Sequence, residues 1–119
     1  MEPLNPVQVE TSMRELTGRI SKGIQVFTQR YRDFLDADRE YDRAYAHAYL
    51  KAEGSIKDKE KIAELKTQEE RMARDVAEVA YKQADKLHKA LSDELRALQS
   101  IGASVRMQYQ VAEIGRAHV

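Results

Sequence analysis

The stretch Ile24–Ser55, IQVFTQRYRDFLDADREYDRAYAHAYLKAEGS, decides the fold. Its apolar residues step alternately by three and four: Ile24, Phe27, Tyr31, Phe34, then Asp38, then Tyr41, Tyr45, Ala48 and Ala52. Eight of these nine positions suit the buried seam of a helix packed against another helix, and strict alternation of the strand type is absent. Gly54 then supplies a helix stop, and Ser55 with Asp58 three residues on supplies the cap of whatever follows.

Upstream, Asn5 is a favoured N-cap, Pro6 suits a first helical position, and Gln8 can complete a capping box. The first helix is therefore expected from about residue 6 to 53, roughly 70 Å long. Downstream, residues 56–66 (IKDKEKIAELK) read as a short, mostly solvated connector helix. Thr67 and Glu70 form a further capping-box pattern, and the seam resumes through Ala77, Ala80, Ala84, Leu87, Leu91, Glu94, Leu98, Ile101, Val105, Gln108 and Ala112. A second long helix over about 68–112 follows, with a tail at 113–119. Val76, Val79, Leu95, Met107 and Tyr109 widen its apolar face beyond one stripe.

Two long helices of similar length joined through one short helix bury both seams most simply by folding back antiparallel. The expected fold is a single all-α domain, a long antiparallel helical hairpin in which residue i faces roughly residue 122 minus i. That register sets Tyr41, Tyr45 and Tyr49 against Ala73, Ala77 and Ala80, and Gly18 against Gly102-Ala103-Ser104. Gly18, Gly23 and Gly102 read as points of close approach or a bend. A hairpin covers only one stripe per helix, so the sequence predicts a homodimer, a dimeric helical bundle of two-fold symmetry.

Composition agrees with helix and removes several functions. Of 119 residues 42% are hydrophobic and 34% charged, with two Pro, five Gly, no Trp and no Cys. Twenty basic and twenty acidic residues leave no net charge, hence no global attraction to nucleic acid or anionic membrane. Without cysteine there is no disulfide, thiolate metal site or thiol nucleophile. The N-terminus lacks the basic and apolar regions of a signal peptide, and no run reaches the ~18 apolar residues that a membrane span needs. A cytoplasmic protein is expected.

Asp38 interrupts the first seam and reads as a register-setting residue paired with Lys82, Lys86 or His88. Among His47, His88 and His118, Asp85-x-x-His88 has the spacing of two ligands on one helical face, but the second such pair and the inward carboxylates of a bundle metal site are missing. No nucleophile elbow, phosphate loop or triad is present, so neither enzyme activity, metal nor cofactor is expected. Arg32, Arg39 and Arg43 interleave with Tyr41, Tyr45 and Tyr49 as in grooves for single-stranded nucleic acid. Acidic residues stand among those arginines, and the tyrosines fit the helix seam, so an interaction face for protein is the first reading. Nucleic-acid binding and a coiled-coil virion component are the alternatives.

The runs AYAHAYLKAEGSIKDKEKIAEL (44–65) and AEVAYKQADKLHKALSDELRALQSIGASVRMQY (77–109) resemble small helical accessory proteins of tailed bacteriophages and prophages, often encoded near genes for recombination or replication. The resemblance covers about residues 40–109. It implies a non-enzymatic protein of the host cytoplasm acting through partners, in DNA metabolism or host takeover, and it transfers no catalytic residue. The closing Gly115-Arg116-Ala117-His118-Val119 breaks the pattern and reads as an appended remnant.

Overall fold

The computed structural model describes residues 5–117. They form three helices, α1 (Pro6–Lys51), α2 (Ile56–Lys66) and α3 (Gln68–Ala117), and no strand occurs among them. His118, the third histidine, and Val119 lie outside the described residues.

The helix ends follow local chemistry. At the start of α1, the Gln8 amide donates to Asn5 Oδ1 at 2.9 Å and the Asn5 amide donates to Gln8 Oε1 at 3.1 Å. At the start of α2, the Asp58 amide donates to Ser55 Oγ and the Ser55 amide to Asp58 Oδ2, a reciprocal capping box. Gly54 precedes it at φ +118°, and a Cβ there would stand 2.9 Å from Asp58 Oδ2. Glycine is required at this turn by both backbone and neighbour.

Thr67 behaves differently from its expected role. Its hydroxyl donates backwards to the Ala63 carbonyl at 2.6 Å, and the residue is buried. With one residue separating α2 from α3, that hydroxyl closes the end of α2 instead of opening α3 in a box with Glu70.

The chain divides into two compact units. One comprises α1 up to Ile24 and α3 from Lys86; the other is Gln25–Asp85. In both, α1 packs against α3. In the first unit Val9, Leu16, Leu91 and Val105 are buried, and Gly102 lets Val9 approach to 3.1 Å of where its Cβ would be. Gly23 sits in ordinary contact with His88 and Leu91, whereas Gly18 has open space around it. Of the three glycines, only Gly102 is a point of tight approach.

The second unit is held by aromatic contacts. Tyr81 of α3 meets Phe34 at 4.9 Å and Tyr31 at 5.2 Å between ring centroids, the separations at which rings attract beyond their buried area. Ala63 of α2 is fully buried.

The register departs from the expected one. Tyr41 meets Arg74 rather than Tyr81, and Gly102 meets Val9 rather than Ile20. The shift is about two helical turns in one unit and three in the other, at 3.6 residues per turn. Its cause lies in α2, which is already part of the return path: Tyr49 stacks with Lys59, and the Glu60 and Glu64 carboxylates act on Tyr45. The reversal therefore sits at Gly54, and α3 begins well past the end of α1.

The seam of α3 also uses a different set of positions. Ala77, Ala80, Ala84, Leu91, Leu98 and Val105 are turned inward as expected. Their companions are Arg74, Tyr81, His88, Leu95 and Gly102, while Leu87 and Ile101 are exposed.

Candidate interaction surface

The arginine and tyrosine segment of α1 lies in the unit Gln25–Asp85. Its tyrosines form a ladder one turn apart, with Tyr41 and Tyr45 centroids 6.3 Å apart and Tyr45 and Tyr49 6.5 Å apart. All three are partly buried. Each end carries a cation: Arg74 lies 4.6 Å from the Tyr41 centroid, and the Lys59 ammonium 6.0 Å from that of Tyr49. Burial pushes the Tyr45 hydroxyl above its usual pKa, and the Glu60 and Glu64 carboxylates push the same way.

Arg39 and Arg43 pair within their own helix, with Asp36 at 3.2 Å and Glu40 at 3.6 Å. Both pairs are largely exposed, so each adds little stability. Arg32 is exposed on the same helix. The structure thus joins the tyrosines into one packed ladder and leaves the three arginines on the solvent side of α1, two of them matched to acids.

Asp38 is partly exposed, and the cation facing it is Arg74, 4.0 Å away, not Lys82, Lys86 or His88. Arg74 also contacts Asp75 at 3.2 Å, and that hydrogen bond is the main cause raising its pKa. Lys82 is occupied on its own helix by Glu78 at 2.7 Å. Arg74 is the residue that sequence reasoning missed. Its signal is the seven-residue column Arg74, Tyr81, His88, Leu95, Gly102, hidden because three members are polar or glycine.

Polar atoms are also buried without a hydrogen-bond partner at Glu70 Oε2, Arg74 Nε and His88 Nδ1. Among the described residues, no group of three or more His, Asp or Glu side chains is placed to hold a metal. No described helix is long and apolar enough to cross a membrane.

The larger feature is apolar. Among the described residues, five hydrophobic side chains are buried, while sixteen large ones are exposed. Met72, Val76 and Val79 share one face of α3 in the unit Gln25–Asp85, at 68%, 64% and 56% exposure. Leu87, Ile101 and Val111 share another in the first unit, on the part of α3 that begins at Lys86. Comparison with models of protein families, with curated proteins and with solved structures gives no match to this chain.

Proposed function

We propose that this chain is a non-enzymatic helical interaction protein that acts by binding protein partners, itself included, through the outer faces of its helices. The observation that carries the reading is the excess of exposed apolar surface: among the described residues, sixteen large hydrophobic side chains lie outside against five hydrophobic residues inside. Contiguous apolar area on a small protein marks a binding surface. The Met72, Val76 and Val79 face is the surface offered to a foreign protein, as an amphipathic helix offers residues three and four apart to a groove or a second helix. The resemblance to phage accessory proteins suggests the setting, a bacterial host and its DNA metabolism.

The test is affinity capture from a phage-infected or lysogenic bacterial host with the full chain as bait, read by mass spectrometry, beside a Val76→Lys/Val79→Lys variant. A protein recovered by the first bait and lost with the second, with helical circular dichroism unchanged, supports the reading. Equal recovery by both baits overturns the assignment of this face. Salt-resistant retardation of a single-stranded oligonucleotide would replace protein binding with nucleic-acid binding.

A further inference from the structure

From Leu87 to Val111, every third and fourth residue of α3 falls on one column, and all eight are exposed. One of the eight, Glu94, is charged, in a chain that is 34% charged. The other charges of the same stretch, Lys89, Asp93, Arg96 and Arg106, fall off the column. A column of this kind is a helix-packing seam without a second helix on it.

We infer that the column is closed by a second copy of this chain, with the two α3 helices running antiparallel across a two-fold axis between Ala97 and Ile101. This deepens the interaction reading by naming one partner, and it rests on that reading. Two observations point to a copy. The first is self-complementarity under reversal: Leu87 meets Val111, Ala90 meets Gln108, Glu94 meets Ser104 and Ala97 meets Ile101. The largest central residue then faces one of the smallest, and the one carboxylate faces a hydroxyl that can donate to it.

The second is a receptor for a knob. Ser104, Met107, Gln108 and Val111 surround an open groove on α3, and residues at i, i+3, i+4 and i+7 form the hole into which a facing side chain inserts. In the antiparallel arrangement the Leu87 side chain of the second copy, 58% exposed in the single chain, comes to this end of the column. Zero net charge sets no repulsion between copies.

The experiment uses the full chain. Sedimentation equilibrium at micromolar concentration is expected to give a dimer. Ala97→Glu, which sets two carboxylates beside the axis, is expected to weaken it by about 100-fold with helical signal retained. Ala103→Glu, off the column, is expected to leave it intact. Because the chain has no cysteine, Glu94→Cys and Ser104→Cys introduce unique thiols. Oxidation of a mixture should give a cross-linked heterodimer, and each variant alone should stay uncross-linked, its thiols about 15 Å apart along the axis.

A monomeric wild-type chain overturns the inference, as does a dimer indifferent to Ala97→Glu. Cross-linking of Glu94→Cys with itself overturns the antiparallel sense, and this readout decides the matter if Ala97→Glu fails to fold. A monomer that still captures a foreign protein through Val76 and Val79 would sink the self-pairing and leave the interaction reading standing.

Discussion

The guanidinium of Arg74 lies over the ring of Tyr41, 4.6 Å from its centroid, and the same group stands 4.0 Å from Asp38. One α3 side chain therefore holds the acidic interruption of α1 and its neighbouring aromatic together. The Asp38 pair stands at the outer limit of an ion pair and the carboxylate is too exposed for its charge to weigh much, so the ring contact is the stronger of the two.

Arg74→Ala is accordingly expected to lower stability by about 1 kcal/mol, mostly through lost packing on Tyr41. Asp38→Leu is expected to change it by less than about 0.5 kcal/mol. Urea denaturation of the two variants decides this; a larger loss from Asp38→Leu would restore the carboxylate as the register-setting group.

The glycines of the first unit should separate by their neighbours. Gly18→Ala meets nothing within 4 Å and Gly23→Ala only ordinary contacts, so each should gain about 0.5–1 kcal/mol from helix propensity. Gly102→Ala presses on buried Val9 at 3.1 Å, and the crowding should outweigh that gain by about 1 kcal/mol. Thermal melts of the three variants give the order directly.

At the reversal, Ser55→Ala should cost about 1 kcal/mol by removing one half of the capping box. Gly54→Ala should cost at least as much, since alanine at φ +118° is strained and crowds Asp58. Gly54→Asn should give no rescue, since its Cβ meets Asp58 in the same way and φ +118° lies outside the left-handed well that Asn tolerates.

Alkali should destabilise the fold. Tyr45 and Lys82 both have pKa values raised on folding, Tyr45 by burial first and Lys82 by its hydrogen bond to Glu78 first. A raised value means that the folded state holds its proton more tightly, so the contribution is complete below the unfolded values of 10.0 and 10.5 and is lost as pH rises past them. The melting temperature should fall above pH 10, and Tyr45→Phe should shallow the fall. A melting temperature that is flat or rising from pH 10 to 11.5 would contradict this.

Much of this architecture was legible because helix signals are local. Asn5 with Gln8, Ser55 with Asp58, and Gly54 each act within one turn, and each is found doing what its type predicts. The pairing of α1 with α3 was legible from the three-and-four spacing. The register was not, because it depends on whether α2 spans the reversal or returns with α3, and IKDKEKIAELK has the same local preference in either case. The inward column Arg74, Tyr81, His88 is masked in the sequence by Leu87, since a leucine outweighs an arginine and a histidine in an apolar pattern, while Ala80 is itself half-buried. Leu87 proves to be outside, on a column of its own. For the candidate site, the tyrosine ladder was visible as a spacing, whereas the cations at its ends come from elements distant in sequence.

Thr67 carries a consequence for motion. Its hydroxyl and amide both bond back into α2, to Ala63 and Glu64, while its carbonyl accepts from the Arg71 amide of α3. The two helices thus share a single residue as the stop of one ladder and the start of the next, and neither ladder crosses it. Opening of α2 breaks no turn of α3, so amide exchange should report α2 as a separate cooperative block with its own protection. Thr67→Val would loosen that block first, leaving the exchange of α3 beyond its first turn as it was.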